Sequence, residues 1–138
     1  MPIPLVSYDD FKTRITNLEE IADELGREEL DILVFMSMQL NLIGDSVSVE
    51  DSSLQGRHSI EHITSLLHEY IRVFVLCADC GALDTMLHVS RKSNKLRSTC
   101  GDCGLKKVFT SPSYTPFVEW MRMHYSQSVE DGRCQTNM

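Results

Sequence analysis

Residues 75–104 read VLCADCGALDTMLHVSRKSNKLRSTCGDCG and contain two Cys-x-x-Cys pairs. The pairs are Cys77 with Cys80 and Cys100 with Cys103, and nineteen residues separate them. A separation of about 15–20 residues between two such pairs is typical of a zinc site. Four thiolates complete the tetrahedral shell of Zn²⁺ and leave no position open for a reacting water. The sequence therefore predicts one structural zinc ion, held by these four cysteines in a zinc ribbon.

Two alternatives use the same cysteines, namely a pair of disulfides or four unrelated thiols in a core. The 138 residues contain neither an apolar run of the ~20 residues that span a bilayer nor the apolar core of a signal peptide. We therefore expect a cytoplasmic protein, and thiols stay reduced in that compartment. Gly81 and Gly104 directly follow the two pairs, where glycine permits the positive φ of a tight turn. Both observations favour zinc.

Charge is unevenly distributed along the chain, whose net charge is −7. Residues 1–76 carry 14 Asp and Glu against 5 Lys and Arg, whereas residues 77–110 carry three Asp against six Lys and Arg. Those six are Arg91, Lys92, Lys95, Arg97, Lys106 and Lys107. We regard them as candidates for contacts with RNA phosphates. A solvated charged surface explains the same pattern, because the excess is small for a nucleic-acid-binding protein.

Two amphipathic helices are predicted ahead of the cysteines. Apolar residues recur with helical spacing over residues 16–25, and Gly26 is placed to end that helix. A longer apolar stripe predicts a second helix over residues 59–75, with Ser59 as its N-cap. This second helix leads almost directly into Cys77, so a rigid element precedes the predicted zinc module.

The strand predictions rest on shorter patterns. From Leu30 to Leu40 apolar residues alternate with a period of two, which favours a buried strand, with a helix as the alternative. A short strand begins at Val47 between turns at 44–45 and 50–53. Three more β-prone pieces follow the first cysteine pair, at residues 87–89, 96–99 and 108–110.

Together these elements predict an α+β protein: a small α/β domain with a short mixed sheet, linked by a helix to a C-terminal four-cysteine zinc ribbon. We divide the chain into an α/β body with its connecting helix at 1–75, the ribbon at 76–110, a C-terminal helix at 111–125 and a disordered tail at 126–138.

Several stretches resemble one known family. Gly56-Arg57-His58, the helix from Ile60 to Phe74, VLCADCGALDTMLHV at 75–89 and LRSTCGDCG at 96–104 are similar to the domain shared by eukaryotic translation initiation factor 5 and the beta subunit of initiation factor 2. The similarity covers roughly residues 12–120 and is nearer to the factor 5 branch. One departure is Leu83, which stands where the family usually has proline.

The resemblance implies a function in translation initiation. It implies a protein that binds the small-subunit preinitiation complex and influences start-codon selection. The implied partners are the small ribosomal subunit, initiator tRNA and the gamma subunit of initiation factor 2, and we expect a monomer.

The resemblance also implies an effect on GTP hydrolysis, because factor 5 stimulates hydrolysis by that gamma subunit. Lys12 matches a functional lysine of the family, and Arg14 is the nearest arginine to it, so these two residues are the candidates. The family's stimulating arginine lies ahead of the matching region, and the sequence given begins after that point. An arginine supplied in trans is worth ~10³-fold or more in GTP hydrolysis. We therefore expect weak stimulation at most, and no enzyme activity of the chain's own.

Three functions thus compete: an initiation module that binds RNA and factors, a GTPase activator, and a zinc ribbon that binds proteins elsewhere, for example in transcription. The acidic first 76 residues keep the third function open, since RNA-binding domains are usually basic.

Overall fold

A computed structural model describes residues 2–42, 47–89, 95–109 and 114–130. The chain divides into two compact units, Met1–Val75 and Leu76–Met138. In the described residues, the first unit contains a four-stranded sheet with three helices, and the second contains a three-stranded sheet with one helix. The predicted α+β class is therefore confirmed.

The sheet of the first unit is built from two hairpins. Its strands are β1 (Val6–Asp9), β2 (Lys12–Ile15), β3 (Val47–Ser48) and β4 (Ser53–Gln55), in the order β1-β2-β4-β3. Every neighbouring pair is antiparallel. The prediction of a mixed sheet is therefore wrong within the described residues. Tight turns join β1 to β2 and β3 to β4 and permit only antiparallel pairing there, and β2 also pairs antiparallel with β4. The short strand predicted at Val47 is confirmed.

The first predicted helix is present as α1 (Leu18–Leu25). Its apolar stripe is buried, and Gly26 ends it with a φ of 66° in the left-handed region. Asn17 precedes the helix but does not cap it with its side chain. Its amide instead bonds to the backbone of Leu5 and Ile3, at 2.9 and 3.0 Å, and ties the N-terminal segment to the start of α1.

The strand prediction for residues 30–40 is wrong, because this segment forms helix α2 (Glu29–Gln39). Every residue from Asp31 to Ser37 is buried, and the helix contacts α1, α3 (Ile60–Tyr70), β3 and β4. A helix covered on all sides needs apolar residues all round and loses its amphipathic period. The apparent alternation was therefore a coincidence within an apolar run.

The predicted helix at 59–75 is present, but its hydrogen bonding changes near the end. Ser59 caps α3 by accepting a hydrogen bond from the His62 amide at 3.1 Å, as predicted. After Tyr70 the chain continues as a π-helical turn, Ile71–Val75. The last carbonyls of a helix have no partner within the helix itself, and the Arg27 guanidinium donates to the Phe74 carbonyl at 2.9 Å.

The second unit places a small sheet against a helix. Its strands are β5 (Thr85–Val89), β6 (Leu96–Cys100) and β7 (Lys106–Val108), antiparallel and in the order β5-β6-β7. Helix α4 (Thr115–Glu130) contacts β5 and β6 and buries Phe117 and Met121. The helix continues to Glu130, past the boundary at residue 125 given by the sequence, and the disordered tail stays a prediction. Residues 131–138 lie outside the described part.

No helix among the described residues is both long enough and apolar enough to cross a membrane.

Candidate metal centre

Each cysteine pair closes a turn with the same hydrogen bonding. The Gly81 amide donates to the Cys77 carbonyl, and the Gly104 amide donates to the Cys100 carbonyl, both at 3.0 Å. The two glycines have φ values of 73° and 79°, which only glycine adopts without strain. The local sequence Cys-x-x-Cys-Gly therefore determines both turns.

After each turn the chain doubles back beside the first cysteine of the pair. The Cys77 amide donates to the Ala82 carbonyl, and the Cys100 amide donates to the Leu105 carbonyl, both at 2.9 Å. The second unit thus presents its two cysteine pairs on matching loops.

The four predicted ligands lie together. Their sulfur atoms are all within 4.8 Å of one another, with Cys77 Sγ 3.5 Å from Cys103 Sγ and Cys80 Sγ 3.6 Å from Cys100 Sγ. A tetrahedral Zn²⁺ with Zn–S bonds of about 2.3 Å requires sulfurs about 3.8 Å apart. The four thiols are free, and the separations far exceed the ~2 Å of a disulfide. This geometry fits a four-coordinate metal ion.

The thiols of this cluster differ in acidity when no metal is bound. Backbone amides of Cys80 and Asp79 lower the pKa of the Cys77 thiol to about 6. The Leu105 amide likewise lowers the pKa of the Cys103 thiol. The hydrogen bond between the Cys103 and Cys77 thiols and the burial of Cys103 outweigh this effect, and they raise the pKa of Cys103 to about 12. A metal ion must therefore displace protons, so its affinity rises with pH.

The second cysteine pair also depends on a contact that the sequence did not indicate. The Gly101 amide donates to the Asp84 carbonyl at 2.7 Å. A Cβ atom on Gly101 would lie 2.9 Å from the Asp84 Cγ. A side chain at this position would therefore require the Asp84 carboxylate to shift, whereas Ala78 occupies the corresponding position in the first pair.

Comparison with known proteins identifies the family. A family model for a domain found in initiation factors 2B and 5 matches residues 1–106. The chain belongs to this family. The matched segment contains all four cysteines, and the family resemblance inferred from the sequence is confirmed.

Relatives in both branches of the initiation factor family align with the chain. The probable eukaryotic translation initiation factor 5 of Schizosaccharomyces pombe is 33% identical over 98 residues, which cover 70% of this chain and 25% of that protein. The beta subunit of translation initiation factor 2 from Nanoarchaeum equitans is 35% identical over 105 residues, 75% of this chain and 73% of that protein. The corresponding subunit from Haloarcula marismortui is 29% identical over 111 residues, which cover 78% of this chain and 79% of that protein. The chain thus spans a quarter of the factor 5 relative but most of each archaeal subunit.

The structure describes four of the six basic residues predicted to bind RNA. Arg97 and Lys106 lie on the face of the small sheet that is turned away from the buried residues Leu87, Leu96 and Ser98, as their strand positions require. This pair on the outer sheet face is called the basic face below.

Two of the other four basic residues, Lys95 and Lys107, belong to the described part of the chain. Lys95 is exposed just before β6. Lys107 alternates to the opposite side of β7, where its Nζ lies 5.1 Å from the centre of the Phe109 ring. Arg91 and Lys92 lie outside the described residues.

His88 lies beside the basic face and does not add to its charge at neutral pH. It pairs with Arg97 across the strands, and its Nε2 lies 3.1 Å from the Thr99 hydroxyl. Burial lowers the pKa of His88, and the charges of Arg97 and Lys106 lower it further. The positive charge of this face therefore comes from arginine and lysine alone.

Lys12 and Arg14, the candidates for GTPase stimulation, lie together in the first unit around one carboxylate. Asp51 Oδ2 is 3.5 Å from Lys12 Nζ and 3.8 Å from Arg14 Nη2, and Asp9 Oδ2 is 3.7 Å from the same arginine nitrogen. The sequence indicated only a turn at residues 50–53. No local pattern could place Asp51 beside β2, because strand pairing brings them together.

Proposed function

We propose that the chain is a zinc-binding module of translation initiation that binds the small-subunit preinitiation complex and influences start-codon selection. The observation that carries this proposal is the family match over residues 1–106. The four converging cysteines support it, because one Zn²⁺ held by four thiolates supplies folding energy and leaves no open position for catalysis.

We further propose that the basic face contacts RNA phosphates, in the small ribosomal subunit or in initiator tRNA. Arg97 and Lys106 are both on β-strands of the second unit, so their positions are held by the sheet rather than by a loop. Phosphate contacts of this kind release counterions, and binding should weaken steeply as salt increases.

Co-sedimentation of the zinc-loaded chain with small ribosomal subunits that carry initiator tRNA and initiation factors tests this proposal. We expect comigration at low salt that falls as salt is raised. Arg97→Gln and Lys106→Gln should each weaken binding and reduce the slope of log affinity against log salt by about 1.

Lys107→Gln is the matched control, since it removes one positive charge from the opposite side of β7. It should leave the salt slope unchanged. Absence of comigration at low salt would refute the proposed function. Equal effects of all three substitutions would refute only the role of the basic face.

Stimulation of GTP hydrolysis by initiation factor 2 is a second candidate function, favoured by the grouping of Lys12 and Arg14 around Asp51. Two cations held close together can stabilise the charge that develops on a transferring phosphate. GTP hydrolysis in the same complexes, with the wild type and with Lys12→Ala, separates this activity from binding alone.

A further inference from the structure

The first unit has a groove that the proposed RNA contacts do not use. It has a volume of about 440 Å³ and lies between α1, the start of α2 and the turn after β3. Its apolar lining comes from Ala22, Leu30 and Val49, and the Val49 side chain is 42% exposed. We call this surface the α1–α2 groove.

Acidic side chains surround the apolar part of the groove. They are Glu19, Asp23, Glu28 and Glu29. Arg27 is the one cation among the lining residues, and its guanidinium donates to the carbonyls of Gly26 and Phe74, at 3.3 and 2.9 Å. In the part of the chain that the structure describes, no ion pair involves Glu19 or Asp23. The groove therefore combines an apolar surface with the carboxylates of Glu19 and Asp23, which form no ion pair within the described residues.

The arrangement of Glu19, Asp23 and Glu29 points to a long cation rather than a metal ion. Within the described residues, Glu19, Asp23 and Glu29 belong to no group of three ligand atoms that lie within 4.8 Å of one another, as a divalent cation would require. Lysine and arginine side chains suit such a surface, because they lay an apolar stem on apolar residues while the charged head reaches a carboxylate. RNA is disfavoured, because its phosphates would face four carboxylates.

We propose that the α1–α2 groove is a docking site for a basic, partly apolar segment of a partner protein. Arginine or lysine side chains of that segment pair with Glu19 and Asp23, while its apolar side chains cover Leu30 and Val49. This site is on the first unit and is independent of zinc and of the basic face.

Helix α1 supplies a matched control for this proposal. Glu19 and Asp23 line the groove, whereas Glu20 and Glu24 are exposed on the same helix and do not line it. The two pairs have the same charge and the same spacing of four residues, so their effects on helix stability are alike. A difference between the two double variants in peptide binding therefore indicates a specific site in the groove.

The test is a fluorescence anisotropy titration of the full chain with a short labelled peptide that alternates arginine and leucine. We expect Glu19→Gln with Asp23→Asn to weaken binding about tenfold, since two rim charges are lost. Glu20→Gln with Glu24→Gln should change it less than about twofold. Val49→Ser should weaken binding about threefold without any change in charge.

Three results would overturn the proposal. These are no peptide binding by the wild type, equal weakening by the two double variants, or no effect of Val49→Ser. A thermal unfolding curve for each variant excludes loss of structure as the cause. The test needs no ribosomal component, so its failure is separate from failure of the proposed function.

Discussion

At the scale of single residues, Asp51 organises the outer face of the first sheet. It accepts a hydrogen bond from the Ser53 hydroxyl at 2.7 Å and lies within 4 Å of the charged groups of Lys12 and Arg14. Hydrogen bonds from Ser53 and Ser48, and then the charge of Lys12, lower the pKa of Asp51 to about 2. Asp51 therefore remains charged under any condition in which the two cations could bind a phosphate.

This acidity gives a prediction about pH. Because the folded pKa of Asp51 lies below its ordinary value of 3.8, its contribution to stability is present above about pH 4. That contribution is lost as the pH falls toward 2. Carboxyl NMR of the folded chain should give a midpoint near 2, and Ser53→Ala should raise it toward 3.8. An unchanged midpoint in Ser53→Ala would show that the hydrogen bond is not the cause.

At the scale of elements, the helices differ in what determines them. Helix α1 has one apolar stripe and a glycine stop, which are local signals. Helix α2 has no stripe because its surroundings bury it on every side. The acidic residues Glu29 and Asp31 in its first turn are the signal that could have corrected the strand prediction, since the helix dipole favours negative charge there.

Helix α3 permits a test of a single cap. Ser59→Ala removes the acceptor for the His62 amide, and we expect a loss of about 1 kcal/mol in the free energy of unfolding. Urea unfolding of the zinc-loaded chain measures it. Ser65→Ala, at an exposed position within the same helix, is the control and should be neutral or slightly stabilising. Equal losses in both variants would contradict the capping role.

At the scale of the whole molecule, the two units have different sources of stability. The first unit has a core of aliphatic and aromatic residues, in which Phe35 contacts Tyr70 and Phe74 with ring centres 5.4 and 5.8 Å away. The second unit has three short strands, one helix and the four cysteines among its described residues. A module this small usually needs a metal or another staple to fold.

Metal removal should therefore affect the units unequally. Chelation of zinc should broaden or shift the amide NMR signals of residues 76–124, while signals from the core of residues 2–75 persist. Cys100→Ser should have the same effect and lower the zinc content from one ion per chain to none. Cys134→Ser, which changes the fifth cysteine, is the control and should retain zinc. Retention of zinc and folded signals by Cys100→Ser would contradict the predicted metal site.

The sequence by itself was sufficient for the features that depend on nearby residues. The cysteine spacing predicted the cluster, the apolar stripes predicted α1 and most of α3, and Ser59 predicted its cap. These succeed because a turn or an amphipathic helix is specified within a few consecutive residues. The resemblance to the family was also recognised from continuous stretches of sequence, chiefly residues 56–89 and 96–104.

Only the tertiary structure decided the features that join distant parts of the chain. It determined that residues 30–40 form a helix, that Asp51 lies between Lys12 and Arg14, and that Lys107 faces away from Arg97. It also brought Val49 beside α1 to form the α1–α2 groove. In each case the outcome depends on burial or pairing with residues far along the chain. A pattern of neighbouring residues gives no information about the free energy of those distant contacts.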